Sequence, residues 1–248
     1  MCRHLAYLGP PAPLARLLLE PEHSLAHQAW APREMRGGGT INADGFGVGW
    51  YPEAGAAPVR YRRDTPIWSD AALAGLAATT VAGAVLAAVR SATAGMPVVA
   101  TAAAPFADGP WLFSHNGVVA GWPSSVGKLA ERLPTTDLLT LEAPTDSALL
   151  WALVRDRLRG GAGPAEAVAA TVAEVAAVAP GSRLNLLLTD GATIAASTLG
   201  HSLSVRGDGS EILISSEPLD DRGWQPVPDR TLLTATRHGV DFTPLGEA

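Results

Sequence analysis

The chain carries a single cysteine, and it is the second residue, Cys2. A lone cysteine falls there by chance in roughly one chain in 250 of this length. The small size of residue 2 predicts removal of Met1, which would put a thiol and a free α-amino group on one residue. A free α-amine titrates near ~8 and a thiol near ~8.5, so the amine is a base for its own side chain at neutral pH. Nucleophile and base then form one unit, the N-terminal-amine form of nucleophilic catalysis. The competing reading is a buried structural cysteine on a first strand, because free cysteine is among the most buried residue types. Position alone leaves both open.

Further residues carry chemistry and also have bland readings. Arg90 closes an apolar run that begins at Gly83, where a surface ion-pair partner ending a strand is the more usual reading of the residue taken alone. Asn116-Gly117 offers a side-chain amide and an accessible backbone N–H, yet Asn-Gly is also a common hairpin turn. Asp146 follows Thr145 at the head of an apolar-periodic segment, where the helix dipole favours an acid in any case. Gly45, Gly47 and Gly49 lack the Gly-Lys-Ser/Thr of a phosphate loop. The six histidines show no HExxH or comparable spacing, and one cysteine builds neither a disulfide framework nor a Cys-based zinc cluster. No metal and no cofactor are predicted.

Elements that would position these groups follow from periodicity and punctuation. A strand is expected over Met1–Leu8, ending at Gly9-Pro10-Pro11, then a short helix over Leu14–Glu20 and irregular chain over Glu22–Ala43. In that irregular stretch Gly37–Gly39 is a candidate lid hinge, with a plain surface loop as the alternative. Strands are expected at Phe46–Tyr51, Val59–Arg63, Gly83–Arg90 and Trp111–His115. Two helices follow: Pro144–Arg159, N-capped by Thr145 and stopped by Gly160-Gly161, and Pro164–Val178, with proline in its first turn. Strands return at Leu184–Leu188, Thr193–Ser197, Leu203–Arg206, Glu211–Ser215 and Arg230–Ala235. This order describes an α+β architecture of sheet and helix layers.

Composition bounds the function. With 248 residues, 47% of them hydrophobic and only 17% charged, one sizeable globular core is expected. The net charge of -6 and the scattered arginines argue against nucleic acid. No secretory signal and no membrane segment are read, which makes a cytoplasmic protein the expectation.

Taken together, five segments resemble the class II glutamine amidotransferase family of N-terminal-nucleophile hydrolases. They are Met1-Cys-Arg-His4, Asn42-Ala-Asp-Gly-Phe-Gly-Val-Gly-Trp50, Val89-Arg-Ser-Ala-Thr-Ala-Gly95, Phe113-Ser-His-Asn-Gly117 and Pro144-Thr-Asp-Ser147. Each is weak alone; their order is not. The resemblance implies a four-layer αββα sandwich and one amidotransferase-type domain over residues 2–248. It also implies roles: Cys2 attacks a γ-glutamyl carbonyl, Asn116 and Gly117 receive the oxyanion, Arg90 grips the α-carboxylate, and Asp146 pairs with the α-ammonium.

A narrower resemblance is to the family's free-standing amidohydrolases of ergothioneine biosynthesis. It rests on Met-Cys-Arg-His-Leu-Ala-Tyr-Leu-Gly, Arg90-Ser-Ala-Thr-Ala-Gly, and Ser215-Ser-Glu-Pro-Leu-Asp-Asp221 followed by Trp224. Ala88 and Ala148 depart from residues common in relatives, without touching the assigned chemistry. That subgroup implies a small-molecule γ-glutamyl substrate whose leaving group is a trimethylammonium betaine. The seven tryptophans are cation–π candidates, with Trp50 and Trp68 preferred for the pocket and Trp151 read as core. A glutaminase subunit feeding a separate synthetase, and a catalytically silent binding module, are the alternatives. Nothing in the sequence speaks to the oligomeric state.

Overall fold

The computed structural model describes residues 2–36 and 41–246. Met1 and the proposed Gly37–Gly39 hinge lie outside the described residues. The chain opens with β1 (Arg3–Pro13), α1 (Ala15–Leu18), α2 (Leu25–Trp30), β2 (Phe46–Trp50) and β3 (Val59–Arg63). It continues through α3 (Leu73–Thr79), β4 (Val81–Val89), β5 (Phe106–Asp108) and β6 (Trp111–Val118). Four helices follow: α4 (Gly127–Ala130), α5 (Thr135–Leu139), α6 (Asp146–Arg159) and α7 (Pro164–Val178). The last part is strand: β7 (Arg183–Thr189), β8 (Thr193–Thr198), β9 (Ser204–Gly207), β10 (Ile212–Ser215), β11 (Gln225–Pro226), β12 (Thr231–Thr236) and β13 (Gly239–Pro244).

Two antiparallel sheets result. One has the order β11-β9-β10-β1-β4-β2-β3, the other β13-β12-β8-β7-β6-β5. Alternation along β1 explains the layering, because successive side chains point to opposite faces. Leu5 and Tyr7 join a cluster with α1, α2 and α3, through Leu17, Leu25 and Leu73. Ala6 and Leu8 instead meet Leu112 of β6 and Leu187 of β7 between the sheets. On the far side, Phe113, Leu184, Leu186 and Leu188 pack against Leu149, Leu153, Val168 and Val172 of α6 and α7. The architecture is therefore the expected four-layer αββα sandwich. Burying both faces of each sheet is what the apolar content supports.

Local chemistry sets the element ends. The Thr145 hydroxyl accepts from Ala148 N at 3.2 Å and caps α6. Trp151 on α6 stacks on Phe113 with ring centroids 5.3 Å apart, a core role as expected. Three expectations need correction. β1 does not stop at Gly9: after an irregularity at Gly9–Pro11 it pairs again through Ala12 with Ala82. The stretch read as irregular contains α2, capped by Ser24, whose hydroxyl accepts from His27 N at 3.3 Å. β6 does not end at His115 but runs to Val118, so Asn116-Gly117, for which a hairpin turn was the competing reading, is paired with Asn185 and Leu184 of β7. Sheet pairing overrides the local turn preference there.

Candidate active site

Cys2 stands immediately ahead of β1. The register that pairs Arg3 with Val89 sets Arg90 opposite Cys2, and the Cys2 thiol points to Ser91 O at 3.8 Å. Two residues on, His4 faces the inter-sheet layer, where its Nδ1 lies 3.2 Å from Ser114 Oγ of β6. Burial, then the nearby His115, His201 and Arg3, push the His4 imidazole down to about 3, so it is neutral at physiological pH.

The residue between them anchors the chain start. Arg3 is only 2% exposed, and its Nε donates to Glu217 Oε1 at 2.6 Å. The same guanidinium donates to Cys2 O at 2.9 Å and to Glu34 O at 2.7 Å. Glu217 also accepts from His23 Nε2 at 2.6 Å, Arg33 N at 2.8 Å and Glu34 N at 3.1 Å. Burial alone would raise the Glu217 carboxyl. The His23 hydrogen bond, the Arg3 charge and the two backbone donors outweigh it and hold the group at about 2. The Cys2 carbonyl is thus fixed by a buried guanidinium that is itself fixed by a saturated carboxylate.

Asn116 belongs to the same place. It is 1% exposed, and its amide meets Ser216 Oγ at 3.2 Å, just past β10. Ser216 Oγ also accepts from His4 N at 3.0 Å, so β1, β6 and β10 are tied at one hydroxyl. Either orientation of the amide satisfies that serine. In the orientation present, Nδ2 donates to that hydroxyl, and the amide oxygen, Oδ1, is buried without a hydrogen-bond partner among the described residues. At Gly117 a Cβ would lie 1.8 Å from Arg183 O, so backbone crowding excludes any other residue.

Asp146 approaches the end of β6 from the helix layer. Its Oδ2 accepts from Val119 N at 3.0 Å and its Oδ1 from Ser147 N at 2.8 Å. The Ser147 hydroxyl meets His115 Nδ1 at 2.9 Å, binding α6 to β6. Arg90 is 8% exposed and is not a surface ion-pair partner. Its Nη1 donates to Pro97 O at 2.9 Å and Asp44 O at 3.4 Å, while Nε and Nη2 make no hydrogen bond among the described residues.

The two preferred tryptophans are not brought to this point. Trp50 pairs with Val85, four residues along β4 from Val89, and packs with the helix-side cluster. That is the opposite face from His4. Trp68 is 47% exposed in the short 3₁₀ turn Ile67–Ser69 beyond β3. Sequence reasoning also missed the positioning groups Arg3, Glu217 and Ser216. They stood inside the quoted motifs, but only the long-range pairing gives them work.

No helix among the described residues is long and apolar enough to cross a membrane. The class-II glutamine amidotransferase family model matches residues 19–207, a span that holds Arg90, Asn116, Gly117 and Asp146 and begins after Cys2. The chain belongs to that family. Among relatives, a γ-glutamyl-hercynylcysteine sulfoxide hydrolase of Mycolicibacterium smegmatis is 42% identical over 99% of this chain and 100% of its own length. The protein of the same name from Mycobacterium tuberculosis is 39% identical over 100% of this chain and 98% of its own. A class-II domain protein from Silicibacter pomeroyi superposes with a TM-score of 0.71 at 25% identity, covering 99% and 100% of the two chains. The glutamine phosphoribosylpyrophosphate amidotransferase of B. subtilis shares the fold, at TM-score 0.69 and 12% identity, over all of this chain and 50% of its own.

Proposed function

We propose that the protein hydrolyses γ-glutamyl-hercynylcysteine sulfoxide to glutamate and hercynylcysteine sulfoxide, with Cys2 as an N-terminal nucleophile. One observation carries this reading above the rest. Cys2 heads β1 opposite Arg90, with the Asn116 amide tied to the same strand through Ser216, in a chain 42% identical along its length to a hydrolase of that name.

In this reading Met1 is removed and residues 2–248 form one amidotransferase-type domain. The Cys2 α-amine takes the thiol proton, and Sγ adds to the γ-carbonyl. Asn116 Nδ2 and Gly117 N–H hold the oxyanion, a donor of this kind contributing ~2.7–4 kcal/mol in the transition state. Collapse breaks the C–N bond, and the ammonium returns its proton to the leaving nitrogen. Water then attacks the thioester, releasing glutamate and restoring the thiol. Arg90 binds the α-carboxylate through the unengaged Nε and Nη2, in the planar fork that suits it. Asp146 pairs with the α-ammonium. An amide lacking both charges leaves buried partners unpaired, which gives γ-glutamyl selectivity. The cycle calls on no metal, cofactor or nucleic acid, and its substrate is a small molecule; we place the protein in the cytoplasm.

The test is product analysis by mass spectrometry after incubation with γ-glutamyl-hercynylcysteine sulfoxide, with glutamine in parallel. Glutamate and hercynylcysteine sulfoxide, formed much faster than ammonia from glutamine, are expected. Preferential turnover of glutamine would replace this reading with a glutaminase subunit.

A further inference from the structure

Asp146, the partner of the α-ammonium in the reading above, stands beside a hydroxyl whose proton has two acceptors within reach. Ser147 Oγ lies 2.9 Å from His115 Nδ1 and 3.4 Å from Asp146 Oδ1. A serine hydroxyl carries one hydrogen, so it donates to one of them at a time. The other ring nitrogen decides which. His115 Nε2 lies 3.0 Å from Arg183 O, a carbonyl that only accepts, so Nε2 carries the ring proton. In the neutral ring Nδ1 is then an acceptor, and the Ser147 hydroxyl donates to it.

The consequence falls on the carboxylate. Asp146 is buried, and two backbone donors hold it: Val119 N at 3.0 Å on Oδ2 and Ser147 N at 2.8 Å on Oδ1. A carboxylate offers about four acceptor sites over its two oxygens. Oδ1 therefore keeps one site open for as long as His115 holds the serine proton. Without the ring, the hydroxyl would turn to Oδ1 and occupy that site. The imidazole is itself buried with both nitrogens engaged, so it has no free atom to offer a substrate. It nevertheless adjoins the site, since a Cβ on Gly117 would lie 2.5 Å from its Nε2.

We propose that His115 and Ser147 are positioning residues for glutamyl recognition: the imidazole takes the serine proton and so keeps Asp146 Oδ1 open to the α-ammonium. This role rests on the γ-glutamyl hydrolase reading and extends it beyond Asp146 itself. Its test compares inhibition of γ-glutamyl-hercynylcysteine sulfoxide hydrolysis by glutamate with inhibition by glutarate, which lacks the α-ammonium. The wild type is expected to bind glutamate the more tightly. His115→Phe releases the hydroxyl and is expected to lower that preference about three- to tenfold. Adding Ser147→Ala removes the hydroxyl and is expected to restore most of the preference. A ring that only ties α6 to β6 would leave the double variant no better than the single one. A folded His115→Phe protein with the wild-type preference, or a double variant without recovery, overturns the role. Should His115→Phe fail to fold or to turn over, nitrogen NMR shifts of the His115 ring in the wild type decide. A protonated Nε2 with a bare Nδ1 is expected there, and a proton on Nδ1 overturns the role. A wild type that does not cleave the sulfoxide overturns the hydrolase reading, and this role with it.

Discussion

Replacing Glu217 by glutamine removes the charge on which the start of the chain is built. The carboxylate is 0% exposed and receives four donors, two on each oxygen. Its amide substitute turns one oxygen into a donor that faces two others, and it leaves the Arg3 guanidinium buried without a counter-charge. Breaking one side of a buried pair costs ~3–5 kcal/mol. The carboxyl is held at about 2 against an ordinary 4.5, which independently corresponds to a loss on the order of 3 kcal/mol. For a domain of this size that lowers Tm by about 6–12 °C. Thermal melts of wild type and Glu217→Gln over a pH series provide the assay. The folded carboxyl is depressed, so its contribution is complete above the unfolded value of 4.5 and is lost as pH falls from there towards 2. The Tm gap is therefore full at neutral pH and closes through that window. A neutral-pH gap under about 2 °C, or one that does not narrow in acid, would refute the argument.

Three further outcomes are expected. Gly117→Ala drives a methyl to 1.8 Å from Arg183 O, so it costs at least ~1–3 kcal/mol and distorts the proposed oxyanion N–H; a variant with wild-type melting and turnover would show the crowding to be absent. Ser216→Ala frees the Asn116 amide, and kcat is expected to fall about tenfold or more while KM changes less; an equal kcat would release Ser216 from its positioning role. His4 and His201 are both held down to about 3, below an ordinary 6.5, so the unfolded chain binds protons that the native one refuses. Stability from these histidines is full above 6.5 and falls as pH drops towards 3, and a flat Tm between about pH 6.5 and 5 would contradict their neutral burial.

How much of this was legible in sequence depended on the range of the interactions. Thr145 capping α6 and Pro164 opening α7 are local signals, and both helices lie where these residues place them. The strands of the apolar stretch ending at Val89 and of Leu184–Leu188 were readable from composition and length. Asn116-Gly117 illustrates the opposite case: the dipeptide favours a turn, and only pairing with Asn185 and Leu184 makes it strand. The Arg3–Glu217 pair joins residues 214 positions apart, so no local pattern announces it. Of the seven tryptophans the sequence reading preferred Trp50 and Trp68, but alternation on β2 turns Trp50 to the helix layer and Trp68 stands exposed beyond β3, placements that no local pattern announces.

The central claim is that Cys2 is the nucleophile, and covalent trapping tests it most directly. The protein, purified from its native host, would be treated with an electrophilic γ-glutamyl analogue such as a diazoketone, then digested and mapped by mass spectrometry. The account predicts one label, on a Cys2 that is the first residue with a free α-amine, matched by loss of activity and absent from Cys2→Ala. Label on another residue, or full activity in a protein that retains Met1, would contradict it.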